Sequence, residues 1–170
     1  ARQPQISVTK DGTVQVVYGK EDVIYCVTST DNGNSFSEPV IVGKVKDLLL
    51  GMAMGPQIAS SATHSLVTAI DKKGNIHSFA LAHKINKWTK TAQVNDVAGV
   101  AAEGFISIAS DENDTFYAVW LDVRGNNKNK IVLASAKAPL RNWSTNKVIY
   151  QSPVSTLSVF CKPNIVVKSK

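Results

Sequence analysis

Residues 4–8 read Pro4-Gln5-Ile6-Ser7-Val8, and the same short pattern returns as Pro56-Gln57-Ile58-Ala59, Phe105-Ile106-Ser107-Ile108-Ala109 and Pro163-Asn164-Ile165-Val166-Val167. The copies begin about 50 residues apart, and self-similarity at such a period marks an array of structural repeats. After each of the first three copies comes a run rich in β-branched and aromatic residues, at 13–18, 65–70 and 115–121, then another at 22–28, 75–81 and 130–135. This is the composition of half-buried strands. A polar turn with one aromatic follows. Phe36 and Trp88 each lie 30 residues after the isoleucine of their unit, whereas Trp143 lies 37 after Ile106 because the third unit has a longer loop at 122–129. Short runs at 40–42, 91–94 and 147–150 close the units.

Four short antiparallel strands in roughly 50 residues, repeated, predict an all-β fold of β-propeller blades. The expected blades cover about 1–50, 51–101 and 102–158, with the first strand of a fourth in 159–170. Helix has little support, because turn clusters such as Lys10-Asp11-Gly12 and Asp71-Lys72-Lys73-Gly74 interrupt the chain too often. A β-sandwich also has short strands, but it does not require an aromatic at the same offset in each repeat.

The 170 residues are 44% hydrophobic and 19% charged, which excludes a disordered chain. Apolar runs are only a few residues long, so no membrane-spanning helix is expected. The net charge of +6 raises the question of nucleic acid. Only Arg2, Arg124 and Arg141 among the 19 cations are arginines, and the lysines are scattered without a basic stripe, so no nucleic-acid partner is expected. Lysines of this kind suit loops and edge strands. Cys26 alternates with apolar neighbours and reads as a core residue; it is 135 positions from Cys161, without disulfide or metal-ligand spacing. His64, His77 and His83 are dispersed and read as structural or surface residues. The acidic turn Asp111-Glu112-Asn113-Asp114 lacks the glycine and distal glutamate of a calcium loop. No metal or cofactor is expected. Asn113-Asp114-Thr115 and Asn142-Trp143-Ser144 match the N-glycosylation acceptor pattern, at a frequency that chance supplies. No leader pattern precedes Ala1-Arg2-Gln3-Pro4, so any targeting segment is expected to be absent or already removed.

The turn before the first aromatic reads Ser29-Thr30-Asp31-Asn32-Gly33-Asn34-Ser35-Phe36. It resembles the Asp-box, or BNR repeat, of the sialidase superfamily, Ser-x-Asp-x-Gly-x-Thr-Trp, with Ser35 and Phe36 standing for the commoner Thr and Trp. A carboxylate at Asp31 can accept hydrogen bonds from its own turn. Gly33 supplies a positive φ, and Phe36 is expected to plug the blade core. Ser29, Asp31, Gly33 and Phe36 are therefore structural positions. The later units keep only the aromatic, in His83-Lys84-Ile85-Asn86-Lys87-Trp88 and Pro139-Leu140-Arg141-Asn142-Trp143.

The resemblance implies a six-bladed sialidase-like parent in an extracellular, periplasmic or cell-surface setting, with a glycan or glycoconjugate as partner. Three blades do not close such a ring, so the remaining blades of the same protein, or a second copy, are expected to complete it. It also implies that the functional face lies opposite the box, at the starts of the first strands and the loops joining second to third strands. Strand starts supply Arg2, Met54, Gln57, Glu103 and Lys162; loops supply Lys20, Glu21, Asp22, Asp71, Lys72, Asp122 and Arg124.

Sialidases hold a substrate carboxylate with arginines, whose planar guanidinium binds it bidentately. Ala1-Arg2-Gln3-Pro4 is similar to the family's Arg-Ile-Pro motif, with the Ile and the preceding aromatic missing. Ala102-Glu103-Gly104, followed by Asp122-Val123-Arg124, is similar to the pattern in which a glutamate activates a tyrosine nucleophile and an arginine follows one hairpin later. The resemblance thus implies Glu103 and Asp22 as catalytic candidates and Arg2, Arg124 and Asp122 as substrate-binding ones. Asp122 with Arg124 also reads as an ion pair fixing its loop. The nucleophilic Tyr and the last arginine belong to later blades. A non-catalytic binding or scaffold propeller is the alternative.

Overall fold

The computed structural model describes residues 1–126, 128–153 and 162–168. Its strands are β1 (Arg2–Val8), β2 (Val14–Lys20), β3 (Val23–Ser29), β4 (Val40–Lys44), β5 (Gln57–Ser60), β6 (His64–Ile70), β7 (Ile76–Ala82), β8 (Lys87–Lys90), β9 (Ile106–Ser110), β10 (Thr115–Asp122), β11 (Lys130–Lys137) and β12 (Lys147–Gln151). They form three four-stranded antiparallel sheets, each in chain order, β1 to β4, β5 to β8 and β9 to β12. The described residues contain no helix, and so none long and apolar enough to cross a membrane.

Two expectations shift. The strand expected at 91–94 is replaced by β8, which contains Trp88 and ends at Lys90. The amides of Ile85 and Asn86 both donate to the Ala82 carbonyl, so the turn closes at once and pairing resumes with Lys87 opposite Ala82. Beyond it, Thr91 and Val94 still bond β7, through Ser78 and Ile76, but outside the regular ladder. The fourth copy, 163–167, forms no strand, although Ser107 Oγ on β9 donates to Asn164 Oδ1 at 3.1 Å. Cys161 lies outside the described residues.

Successive sheets bury their faces against each other. Val17, Ile24, Cys26 and Val42 of the first sheet meet Ile58, Val67, Ala69 and Phe79 of the second. The opposite face of the second, with Leu66, Ile70, Ile76 and Ala80, meets Ile106, Phe116, Trp120 and Val132 of the third. Cys26 is a core residue as expected, and burial pushes its thiol up to about 11. The inner strands β1, β5 and β9 are neighbours, and so are the outer strands β4 and β8.

The repeat position of the isoleucines makes the arrangement legible. Ile106 is 1% exposed and Ile58 8%, each facing the preceding sheet, whereas Ile6 is 63% exposed. Phe36 corrects the sequence reading: it is 46% exposed and plugs nothing. Trp88 and Trp143 pack against the cores between their own sheet and the one before it, and among the described residues Phe36 has no preceding sheet to meet.

Polar seams reinforce these contacts at the end carrying the β1–β2 type of turn. Gln15 Oε1 accepts from Ser60 Oγ (3.1 Å) and Ser65 Oγ (2.6 Å), joining the first two sheets. Asp114 accepts from Ser61 Oγ, Thr63 N and Thr63 Oγ1 at 2.6, 3.0 and 2.8 Å, joining the next two.

The first interface is tight at Gly43 on β4, where an added Cβ would run into the Phe79 ring. Gly43→Ala is therefore expected to destabilise the chain by about 1–3 kcal/mol through overpacking. In a urea-melt double-mutant cycle, Phe79→Leu should recover part of that loss in the Gly43→Ala background.

Candidate functional site

Antiparallel register sorts the connections to two ends. Arg2 pairs with Gly19, Gln57 with Thr68 and Ile106 with Trp120, so the starts of β1, β5 and β9 share an end with the β2–β3, β6–β7 and β10–β11 turns. The Ser29–Phe36 turn leaves β3 at the opposite end. At the first end the inner-strand starts converge. Gln3 lies against Gly55, and Met54 lies over Gly104, whose φ of +73° and lack of Cβ permit the approach. Lys162 Nζ donates to Gln57 Oε1 at 2.7 Å, 105 residues away in the chain. These contacts outline one mouth.

The residues singled out from sequence fall into three groups there. Arg2 and Asp22 line one cleft of about 380 Å3, together with Lys20, Glu21, Asp47 and Lys72. Asp22 also accepts from the Leu48 amide at 3.3 Å. Arg2 makes no ion pair among the described residues. Glu103 is half-buried beside Gly104, makes no hydrogen bond or ion pair among the described residues, and does not line that cleft.

Asp122 and Arg124 form the third group. The Asp122 carboxylate is fully buried and accepts from Trp120 Nε1 (2.9 Å), the Arg124 amide (2.8 Å), Arg124 Nε (2.9 Å) and Arg124 Nη2 (2.9 Å). Arg124 also reaches Asp96 at 3.1 Å and Asn146 Oδ1 at 3.1 Å. The Asp122 hydrogen bonds, and then the Asp96 charge, raise the Arg124 pKa above its ordinary value. All its nitrogens thus have protein partners.

Asp96, Asn95 and Asn146 are missed by sequence reasoning. Asn146 and Asp96 exchange two bonds, Asp96 N to Asn146 Oδ1 at 2.8 Å and Asn146 N to Asp96 Oδ2 at 3.0 Å. Asn95 Oδ1 accepts from the Ile76 amide at 2.8 Å. No local pattern announces pairs that far apart. Asp71 is more legible, because it directly follows β6 much as Asp122 closes β10. It accepts from Lys73 N, Asn75 N and His77 Nε2 at 2.9, 3.0 and 2.9 Å. Burial pushes its pKa up, but these bonds outweigh burial and leave it lowered.

At the far end, the turn resembling an Asp-box is fully hydrogen-bonded. Asp31 Oδ1 accepts from Ser29 Oγ (2.6 Å) and Ser35 N (2.9 Å), Oδ2 accepts from Ser35 Oγ (2.6 Å), and Ser29 Oγ accepts from Gly33 N (2.8 Å). Gly33 has φ +89°. The Ser29 and Ser35 hydroxyls hold the Asp31 carboxyl down to about 2.

No family model matches this sequence, and no curated protein matches it. Among solved structures, the chain is similar to the NanB sialidase from Streptococcus pneumoniae, with a TM-score of 0.59 and 10% identity over 82% of this chain and 22% of that one. It is also similar to a protein of unknown function from Dyadobacter fermentans DSM 18053, with a TM-score of 0.54 and 16% identity over 85% of this chain and 50% of that one. The likeness supports a β-propeller fold. At these identities it speaks to fold alone, and the chain spans half or less of the structures it matches.

Three outcomes follow. Asp122→Ala leaves Arg124 and the Trp120 indole without their buried acceptor and should cost roughly 3 kcal/mol in chemical denaturation. Asp96→Ala should cost about 1 kcal/mol or less, because Asp96 is 38% exposed. The depressed Asp31 pKa contributes stability that is fully present above its unfolded value of 3.8 and is lost as pH falls toward about 2. The stability difference between the parent chain and Asp31→Asn should therefore shrink between about pH 4 and pH 2 in urea melts at a series of pH values.

Proposed function

We propose that this chain is part of a carbohydrate-recognising, sialidase-like propeller that receives its ligand at the mouth where the inner strands begin. The observation that carries this reading is the convergence of the starts of β1, β5 and β9 with Lys162 on one mouth, at the end opposite the hydrogen-bonded Asp31 turn. The fold likeness to a sialidase supports it. Arg2 and Glu103 are the ligand-facing groups, because neither is spent on a protein partner among the described residues, and Asp22 shares the Arg2 cleft. Asp122 and Arg124, whose polar atoms are engaged with each other and with Asp96 and Asn146, act by fixing the rim.

In the same reading the ring has six blades. The apolar face of the first sheet, around Ile6, is covered by another blade of the same protein or, as the lesser alternative, by a second copy; the setting is extracellular, periplasmic or cell-surface. Hydrolysis belongs to a complete protein in which further blades supply a tyrosine nucleophile for Glu103 to activate. One observation favours a non-catalytic binding or scaffold module instead: Glu103 lies outside the cleft that Arg2 and Asp22 share.

A carbohydrate panel screened against the chain tests recognition. Arg2→Ala should weaken binding at least tenfold, while Arg141→Ala, on the opposite end, should leave it unchanged. Equal effects of the two substitutions, or no binder in the panel, would refute this site. Fluorogenic sialoside turnover by the longest available form, abolished in Glu103→Gln, separates the hydrolase from the binding module.

A further inference from the structure

Corresponding turns of the second and third sheets place one apolar residue differently. Ile85 lies three residues before Trp88, and Leu140 lies three before Trp143. Leu140 is fully buried in the core between the second and third sheets, whereas Ile85 is 72% exposed. The first interface therefore lacks that wedge. Between the outer strands β4 and β8 it keeps a groove of about 550 Å3, a size typical of small-ligand sites. Thr28 and Ser37, which flank the Asp31 turn, both line it, so it lies away from the mouth.

Apolar and polar groups meet in this groove. Leu81 and the half-buried Trp88 are joined there by Val40 and Ile41, which are 50% and 55% exposed. Gln15 also lines it and is only 3% exposed. The Ser60 and Ser65 hydroxyls hold Gln15 Oε1 in place, yet its Nε2 has no hydrogen-bond partner among the described residues. The Trp88 indole N–H likewise has none, unlike that of Trp120, which donates to Asp122. An amide buried this deeply costs stability unless an oxygen-bearing group takes its hydrogens. On the rim stand exposed Glu38 and Lys87, without an ion pair among the described residues, and exposed Asn86. One negative and one positive charge leave that rim neutral.

We propose that this groove binds a neutral pyranose ring of a glycan, at a second site separate from the mouth. The C–H face of the ring lies on Trp88 and the aliphatic side chains, and its oxygens take the Gln15 amide hydrogens that the protein leaves unused. Glu38 accepts from ring hydroxyls, while Asn86 and Lys87 serve those nearer the solvent. A hydroxyl both donates and accepts, which matches a rim that offers both. An anion would meet Glu38 and a cation Lys87, so neither gains from the rim as a whole. A wholly apolar ligand would leave Gln15 without its acceptor. This site and the mouth share a ligand class but no residue, so neither depends on the other.

The test records 1H–15N spectra, in which the Gln15 side-chain amide and each of the three tryptophan indoles give signals, as lactose, maltose, cellobiose or cyclohexanol is added. The expected result is a saturable shift of Trp88 and Gln15 with at least one disaccharide, the Trp120 and Trp143 indoles staying in place. Cyclohexanol, an apolar ring with a single hydroxyl, should bind about tenfold more weakly or less. Glu38→Ala, at an exposed position, and Asn86→Gly, at a φ of +51° that glycine adopts readily, should each weaken binding about threefold or more. Ile85→Ala should leave it unchanged. No shift of Trp88 with any disaccharide, equal binding of cyclohexanol, or undiminished binding in both groove variants would overturn the proposal. A disaccharide that moves the Gln3 and Gly55 amides but not Trp88 would sink this inference and leave the mouth reading standing. One that moves Trp88 while no carbohydrate reaches the mouth would uphold the groove and count against the mouth.

Discussion

Face-to-face burial between successive sheets is the constraint on which the rest of this structure depends. A four-stranded sheet has two faces, and here both are apolar in every repeat. The second sheet has both covered, and β6 is buried at every position after His64. The first has one covered, and β2 alternates between buried and half-buried residues. The alternation in β2 is not written as polar against apolar. Val14, Val16 and Tyr18 fill its uncovered face, and Tyr18 stacks on Tyr25 with ring centroids 5.6 Å apart. A sheet facing water on one side ordinarily shows polar residues there, so the composition of β2 suits a sheet packed on both sides.

Because the sheets are pinned through their faces, their ends are free to specialise. The far end is built from carboxylates that serve their own turns. Asp11, Asp31 and Asp111 each accept from a backbone amide two to four residues on, and all three carboxyls are held below the ordinary value. At the mouth, the Arg2 and Glu103 side chains make no hydrogen bond or ion pair among the described residues. The carboxylates spent on their own far-end turns, set beside the unspent Arg2 and Glu103, are the basis of the proposal that a ligand is received at the mouth.

Much of this is visible in the sequence because it is local. The strand runs, the apolar alternation around Cys26 and the hydrogen bonds of Asp31 rest on neighbours a few residues apart, and the isoleucine period of about 50 residues is read by direct repetition. The shift from 91–94 to β8 was hidden because a turn closing within three residues leaves no composition signature. The exposure of Phe36 depends on a sheet that is not among the described residues, which no offset rule can report. The Asp122–Arg124 pair is legible as a motif, but its extension to Asp96 and Asn146 is not, nor is Lys162 on Gln57. Such contacts join residues tens of positions apart through the packing of sheets, and a one-dimensional pattern carries no record of them.

The most direct measurement is backbone amide chemical-shift mapping of the chain with carbohydrates titrated in. The account predicts that a binding sugar perturbs Gln3, Gly55, Gln57 and Gly104 at the mouth and leaves Asp31 to Ser35 unmoved. Perturbations centred on the Asp31 turn, or none with any carbohydrate, would contradict it.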